Sequence, residues 1–200
     1  PPNPDDYVTG ELRYCLNQVI DTGGGTIAFD SSANGTITLA SDLPEVTLTS
    51  SLTITGNGAT NTIIDGGHLH GVFDFTGRYG RYPVEVSSLT IQNVSTDVGG
   101  AIDFSDADVT VRNSTFSGNT ATGSGGAIRA LYGDVTVRNS TFSGNTANSR
   151  GGAIFAYFGD VTVRNSTFSG NTANKGGAIY SYYGDVTVRN STFSGNTANK

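Results

Sequence analysis

The sequence predicts an all-β chain folded as a right-handed parallel β-helix, a solenoid with three short strands in each coil of about 25 residues. A 14-residue block recurs four times, and its apolar residues alternate with a period of two. Gly, Asn and Asp, which favour turns, bound each apolar segment. Helical repeats of similar length need an apolar period of 3.6 residues, which these blocks lack.

The repeat has two parts that keep the same spacing of 26, 26 and 25 residues. The copies of the block Asp-Val-Thr-Val-Arg-Asn-Ser-Thr-Phe-Ser-Gly-Asn-Thr-Ala begin at Asp108, Asp134, Asp160 and Asp185. The copies of the block Gly-Gly-Ala-Ile begin at Gly99, Gly125, Gly151 and Gly176. One coil of a solenoid therefore contains one copy of each block.

Equivalent side chains in successive coils should stack, because neighbouring parallel strands lie about 4.8 Å apart. The expected aromatic column of the core consists of Phe116, Phe142, Phe168 and Phe193. A column of turn residues, whose side-chain amides can bond from coil to coil, consists of Asn119, Asn145, Asn171 and Asn196. Valine and isoleucine columns, which include Val109, Val111 and Ile102, should complete the core.

The chain divides by regularity and not into separate domains. Residues 99–200 carry the regular repeats, and residues 25–98 are predicted to be irregular coils of the same solenoid. Residues 1–24 are predicted to form an N-terminal extension and a capping helix. Such a helix would cover the apolar end of the solenoid.

The predicted helix spans residues 9–21, with Thr9 as N-cap and Glu11 in its first turn. Its apolar residues recur with helical spacing and form one face. The lone Cys15 lies on this face, and we expect it to be a small buried apolar residue without a disulfide partner.

Composition excludes several classes of function. The net charge of −6 argues against a nucleic-acid partner, because phosphate binding needs clustered Lys and Arg. No apolar run is long enough to predict a membrane-spanning helix. The chain opens at Pro1 without an initiator Met or an apolar signal segment, as expected for a mature secreted or cell-surface protein or a trimmed chain.

Catalytic and metal sites are weakly indicated. The acidic column, which consists of Asp108, Asp134, Asp160 and Asp185, could share Ca²⁺ ions, but turn formation explains it better because the column repeats with the fold. His68 and His70 have strand-like spacing without an evident third metal ligand, which favours a surface loop. Residues 78–83 are predicted to be a protruding loop. We therefore expect no catalytic residue, no cofactor and no metal.

The segment after each Gly-Gly-Ala-Ile block differs between otherwise nearly identical coils. Alternation places Phe155 and Tyr180 on the outside of the strand. A stripe of aromatic residues there could stack on sugar rings or bind a partner protein, although aromatic residues also simply favour strands. The predicted binding stripe consists of Tyr132, Phe155, Tyr157, Phe158, Tyr180, Tyr182 and Tyr183.

Two sets of motifs resemble known proteins. Gly-Gly-Ala-Ile alternates with Phe-Ser-Gly-Asn, first at Phe116 to Asn119, and over residues 89–200 this resembles the GGAI and FxxN repeats of the chlamydial polymorphic outer-membrane protein family. Residues 9–75 resemble more loosely the cap and first coils of secreted proteins of the pectate-lyase-like superfamily. The resemblance implies a surface-exposed passenger that functions in adhesion. The four copies are more alike than is usual in such passengers, which suggests recent duplication or a consensus sequence.

These observations predict a non-enzymatic secreted β-solenoid, an adhesin-like passenger or fibre component that presents a repetitive binding surface. The expected partner is a protein or glycan of a host or neighbouring cell, with self-association end to end or laterally as another option. A self-polymerising filament subunit, joined through the edge near Lys200 or through an N-terminal strand, is the first alternative. A polysaccharide lyase or hydrolase is the second, and a groove with non-repeating acidic residues would favour it.

Overall fold

Helix α1 (Leu12–Thr22) covers the first coil of a β-solenoid in the computed structural model, which describes residues 12–200. Leu12, Leu16 and Val19 are buried in the core together with residues of the first strands. Cys15 is partly buried against this core, and burial raises the pKa of its thiol. The expected cap helix is thus confirmed, whereas its proposed N-cap Thr9 and Glu11 lie outside the described residues.

Within residues 12–200 the solenoid wall consists of 25 parallel strands in four sheets. Three sheets are named here by the residues that dominate their inner faces, and the fourth by its short strands. The valine sheet contains β1 (Gly25–Ala28), β4 (Leu52–Thr55), β7 (Tyr82–Ser87), β11 (Ala107–Arg112), β15 (Val135–Arg138), β19 (Val161–Arg164) and β23 (Val186–Arg189). The phenylalanine sheet contains β2 (Gly35–Thr38), β5 (Thr62–Asp65), β8 (Thr90–Gln92), β12 (Thr115–Ser117), β16 (Thr141–Ser143), β20 (Thr167–Ser169) and β24 (Thr192–Ser194). A 3-10 helix (Ser31–Ala33) precedes β2.

The other two sheets complete each coil. The short sheet contains β9 (Ser95–Thr96), β13 (Thr120–Ala121), β17 (Thr146–Arg150), β21 (Thr172–Lys175) and β25 (Thr197–Ala198). The isoleucine sheet contains β3 (Val46–Leu48), β6 (Phe73–Gly77), β10 (Ile102–Ser105), β14 (Ile128–Leu131), β18 (Ile154–Tyr157) and β22 (Ile179–Tyr182). The predicted all-β parallel solenoid with one N-terminal helix is confirmed.

Two local predictions need correction. The regular coils have four strands and not three, because the Thr-Ala pairs after the buried Asn residues bond to each other between coils, as Thr120 does with Thr146. These pairs are too short to show an alternating pattern in the sequence. The predicted loop over residues 78–83 ends as strand, since Tyr82 and Pro83 pair with Ala107 and Asp108.

The register confirms stacking of equivalent residues. Val109 pairs with Val135, Ile102 pairs with Ile128, and Phe116 pairs with Phe142. Successive rings of the phenylalanine column have centroids 4.8 Å apart and planes within 4° of parallel. All of its rings are buried except Phe193 in the last coil.

Two columns of Asn residues lie at successive corners of the coil. Asn113 and its copies adopt left-handed backbone between the valine and phenylalanine sheets, with φ of 49° at Asn113. Asn tolerates this conformation better than most residues. The Asn119 column lies at the next corner and is buried: the Asn119 side-chain amide donates to Oδ1 of Asn145 at 3.0 Å. The predicted bonding of Asn amides from coil to coil is thus seen in the Asn119 column, and the exposed Asn139 amide also donates to Oδ1 of Asn113 at 3.3 Å, whereas only the Asn113 column has left-handed backbone.

The Gly-Gly pairs make the sharp bend that leads into the isoleucine sheet. Gly125 has φ of 74°, and a side chain at Gly126 would collide with the backbone oxygen of Gly152 in the next coil. The coils can therefore approach each other closely only where no Cβ is present.

Candidate functional site

The outer face of the isoleucine sheet brings together the non-repeating side chains of the chain. One column of this face runs through consecutive coils and is formed by Asp74, Asp103, Arg129, Phe155 and Tyr180. A second column two residues along each strand is formed by Thr76, Ser105, Leu131, Tyr157 and Tyr182. The face is therefore acidic and polar in its first coils and aromatic in its last.

A third column lies at the corner that follows the sheet. It contains Asp106, Tyr132, Phe158 and Tyr183, all of which have left-handed backbone with φ between 52° and 66°. The inter-coil hydrogen bond from Tyr132 N–H to the Tyr157 oxygen, at 2.8 Å, helps to hold this conformation. Large aromatic residues rarely adopt positive φ. The fold therefore presents these rings at a strained position.

The aromatic residues of the last three coils form one continuous surface, here called the aromatic patch. Phe158 stacks on Tyr183 with centroids 4.6 Å apart and on Tyr132 at 5.8 Å, while Tyr157 stacks on Tyr182 at 5.7 Å. Solvent reaches 45% of Tyr132, 43% of Phe158 and 66% of Tyr183. The rings at the corner thus support each other and still expose much of their surface.

Phe155 departs from its predicted role. It lies on the outer side of its strand, as expected, but only 6% of its surface is accessible. Tyr180 stacks on it with centroids 6.3 Å apart and helps to cover it. Phe155 therefore supports the patch from below and is not available to a ligand.

Two cations lie beside the aromatic patch. The Arg150 guanidinium carbon is 5.7 Å from the centre of the Tyr180 ring and 5.6 Å from that of Tyr182, within the range of cation–π contacts. Lys175 occupies the register position equivalent to Arg150 in the next coil. The patch thus has a basic border where the chain enters the sheet.

An acidic groove of about 500 Å³ lies in the first coils of the same face. Four carboxylates line it, from Asp42, Asp74, Asp97 and Asp103. The pKa of Asp74 is raised to about 6, first by burial and then by the negative charges of Asp103 and Glu45, against the opposing effect of Arg129.

Asp103 is the carboxylate held in place within this groove. Nη1 of Arg129 donates to both of its oxygens, at 3.0 and 2.9 Å. Burial raises the pKa of Asp103, and the charge and hydrogen bonds of Arg129 oppose that shift. The groove therefore contains two neighbouring carboxyl groups in different states. Asp103 is held by the Arg129 guanidinium, whereas Asp74 keeps its proton up to a pH of about 6.

The comparison with protein families agrees with this architecture. The family described as "Right handed beta helix region" matches residues 45–199. The chain belongs to this family. No curated protein sequence matches this right-handed β-helix. A similar solved structure is the "putative glycosyl hydrolase" from Parabacteroides merdae ATCC 43184, with 15% identity and a TM-score of 0.44 over 95% of this chain and 89% of that one.

The repeated Asp residues of this β-helix bond between coils. Oδ1 of Asp108 accepts a hydrogen bond from Asp134 N–H at 2.9 Å, and the following copies do the same. Asp therefore contributes to stacking, although through the next coil and not through its own turn as expected. Among residues 12–200, no group of three or more His, Cys, Asp or Glu side chains is arranged to hold a metal ion. The expectation that this column holds no metal, with shared calcium ions as the less favoured alternative, stays a prediction.

The two histidines of this β-helix do not converge. His68 lies in a turn with φ of 61°, and Nδ1 of His70 is 3.2 Å from Oδ1 of Asp42. The structure has no helix within its described part with the length and apolar character of a membrane span.

The acidic groove was not predicted from the sequence. Asp74 lies 29 residues before Asp103 and outside the regular Gly-Gly-Ala-Ile repeats, and the register of β6 and β10 makes the two residues neighbours. Aligning Gly71-Val-Phe-Asp-Phe with Gly100-Ala-Ile-Asp-Phe would have found the pair, since both segments have Asp-Phe in the same place.

Proposed function

We propose that this β-helix is a non-enzymatic binding solenoid whose aromatic patch holds a glycan chain along the solenoid axis. The observation that carries the proposal is the exposed, stacked column of Tyr132, Phe158 and Tyr183. Ring faces repeated once per coil offer successive apolar platforms to successive sugar rings. Arg150 and Lys175 at the border can donate hydrogen bonds to hydroxyl or carboxylate groups.

The strained backbone supports a role beyond folding. The Asn113 column shows that this solenoid uses Asn where a corner residue needs positive φ. At the equivalent corner beside the patch, the last three coils carry Tyr, Phe and Tyr instead, with φ of 58°, 54° and 66°. In the coils of Tyr132 and Phe158 the inward-facing residues of the isoleucine sheet are already fully buried, so shielding of the core does not explain the choice of exposed rings at these two corners.

The mechanism would be multivalent. Each ring contributes a weak contact, and the rigid spacing of the coils converts several such contacts into useful affinity through effective concentration. A secreted or cell-surface setting, with an adhesin-like or fibre role as the resemblance to the chlamydial family implies, is part of this proposal. A host-cell or neighbouring-cell glycan is the expected ligand.

The test is a binding assay on soluble hexasaccharides of glucan, chitin and polyuronate type, measured by isothermal titration. We expect one class to bind with micromolar to millimolar affinity, and the double variant Phe158→Asn with Tyr183→Asn to weaken that binding at least about tenfold. Tyr79→Ala is the matched control, since Tyr79 is 81% exposed but lies outside the patch. Equal loss in the control, or binding that survives the double variant, would contradict the proposal.

A second candidate function is glycoside hydrolysis in the acidic groove. The specific observation in its favour is the pair Asp74 and Asp103 with the raised pKa of Asp74. A carboxyl group that stays protonated near pH 6 can donate a proton to a leaving oxygen, while a neighbouring carboxylate acts as base or nucleophile. The aromatic patch would then bind the part of the glycan that is not cleaved.

Release of reducing ends from the same hexasaccharides at pH 5 distinguishes the two candidates. Turnover that disappears in both Asp74→Asn and Asp103→Asn, but persists in Asp97→Asn, would make the protein an enzyme and reject the non-enzymatic proposal. Binding without turnover in the unmodified chain would support the proposal.

A further inference from the structure

The outer face of the valine sheet carries three columns of side chains that run the length of the regular coils. The acidic column consists of Asp108, Asp134, Asp160 and Asp185. The hydroxyl column consists of Thr110, Thr136, Thr162 and Thr187, which are paired in register. The basic column consists of Arg112, Arg138, Arg164 and Arg189, also in register.

The fold keeps the two charged columns apart. Asp and Arg of one strand are four residues apart, which separates them by about 13 Å across the face, with Thr between them. Like charges, in contrast, follow each other at about 4.8 Å along the solenoid axis. Each column therefore repels itself, and no ion pair joins the two columns within residues 12–200.

Partners from elsewhere in the chain neutralise only the first coils. Nη1 of Arg81 lies 3.7 Å from Asp108 and 3.8 Å from Asp134, and Nε of Arg112 lies 3.4 Å from Glu85. Within residues 12–200, Arg138, Arg164 and Arg189 make no ion pair.

We propose that this face binds the same face of a second copy of the chain, with the two solenoids side by side and parallel. A two-fold axis parallel to the solenoid axis reverses the order of the columns in the second copy. The acidic column of each copy then faces the basic column of the other, and the hydroxyl columns meet between them. The coil spacing matches automatically, because both copies have the same repeat.

Charge also selects the direction. A two-fold axis perpendicular to the solenoid axis, which makes the solenoids antiparallel, places acidic against acidic and basic against basic columns. The parallel arrangement is therefore attractive and the antiparallel one repulsive. Tyr157 and Tyr182 of the aromatic patch lie on the isoleucine sheet, while its corner column lies at the edge of the proposed interface, two residues before the acidic column.

Four coils make a small face, well below the area that stable dimers bury, and its contacts are mainly charged. The association should accordingly be weak, concentration-dependent and sensitive to salt. Sedimentation velocity of the full chain at 20–200 µM in about 20 mM salt should show dimers that dissociate in about 0.5 M salt.

Charge reversal and mixing test the pairing of the columns. The acidic variant Arg138→Glu with Arg164→Glu and the basic variant Asp134→Lys with Asp160→Lys should each have a dissociation constant at least about tenfold higher than the unmodified chain. An equimolar mixture should associate again, because each column then meets its opposite. Arg150→Glu with Lys175→Glu is the matched control, since it makes the same charge change on a different wall and should leave dimerisation unchanged.

Cysteine cross-linking tests the direction in a Cys15→Ser background. Thr187→Cys should form a disulfide-linked dimer with itself, because equivalent coils face each other. A mixture of Thr187→Cys and Thr110→Cys that yields the mixed disulfide instead would overturn the parallel arrangement. Circular dichroism checks that each variant is folded. If the basic variant does not fold, the acidic variant Arg138→Glu with Arg164→Glu alone tests whether the charged columns drive dimerisation.

Other results would overturn the proposal outright. These are a monomer at every concentration in low salt, association that the acidic variant retains, or a control that loses association to the same degree. None of these results bears on glycan binding by the aromatic patch, so the two proposals can fail separately.

Discussion

Two aromatic columns of the same chain stack with similar spacing but in opposite environments. Phe116, Phe142 and Phe168 are buried, with centroids 4.8 Å apart and nearly parallel planes. Phe158 and its neighbours at the outer corner are exposed, with centroids 4.6 to 5.8 Å apart and tilts of 9° to 17°. The buried column has the regularity that close packing imposes, whereas the outer column does not.

The two columns also differ in how much their sequence varies from coil to coil. The block that contains the buried Phe is identical in four copies, while the segment that contains the outer aromatics changes in every copy. Packing in a solenoid needs each inner residue to match those one coil above and below. The outer residues are free of this condition, so that their chemistry can vary and serve binding.

Truncation in the buried column should have the largest effect on stability. Phe142→Ala removes a ring that stacks on both neighbours and leaves a cavity, and we expect the free energy of unfolding to fall by about 3–5 kcal/mol. Phe193→Ala is the matched control in the exposed last coil and should lose roughly half of that or less. Urea titration followed by circular dichroism measures both, and equal losses would contradict the stacked-core interpretation.

Truncation in the buried Asn119 column should have the second largest effect on stability. Asn145 accepts hydrogen bonds from Asn119 and donates to Oδ1 of Asn171 and the Phe116 oxygen, at 2.9 and 3.1 Å. Asn145→Ala leaves these buried groups without their partner, and we expect a loss of about 3 kcal/mol.

The control for this column is Asn139→Gly. Asn139 is exposed with φ of 50°, which Gly adopts freely, so that its replacement should change stability by less than about 1 kcal/mol. Urea titration of both variants tests the difference between the two Asn columns. A loss at Asn139 that matched the loss at Asn145 would show that the columns do not have separate roles.

Prediction from sequence succeeded for the stacking of equivalent residues and for the cap helix, and it failed for the fourth short strand of the coil and for contacts between non-repeating residues of different coils. The spacing of identical blocks was enough to pair Phe116 with Phe142 and Val109 with Val135. The accessibility of Phe155 could not be read from alternation, because a neighbouring coil covers it. The groove at Asp74 and Asp103 arises from the register between an irregular coil and the first regular coil, which the sequence displays only when these two segments are aligned with each other.

Replacement of Asp74 in the acidic groove should have a smaller effect on the free energy of unfolding, and this effect should depend on pH. The pKa of Asp74 is raised to about 6 in the folded chain, so the folded state retains a proton that the unfolded state has lost. The contribution of Asp74 to the free energy of unfolding is fully present below the ordinary pKa of 3.8, and it is lost as the pH rises through about 6. Asp74→Asn should therefore stabilise the chain at pH 7 and change little at pH 4.

We expect a gain of about 1 kcal/mol at pH 7, since solvent exposure of Asp74 screens much of the effect. Asp97→Asn, an exposed carboxyl on the same groove, is the matched control and should give the same small change at both pH values. Urea titrations at pH 4 and pH 7 measure the difference. A gain that is equal at both pH values would reject the assignment to a raised pKa.

The outer column should show the smallest effect on stability, although we expect a large effect on binding. Phe158→Asn relieves positive φ at an aromatic residue, which is worth about 1–3 kcal/mol, but loses ring stacking and part of its burial. These contributions oppose each other, so the free energy of unfolding should change by less than about 1 kcal/mol. A loss as large as that of Phe142→Ala would show that the outer column is a structural element, and its left-handed backbone would then need no explanation from glycan binding.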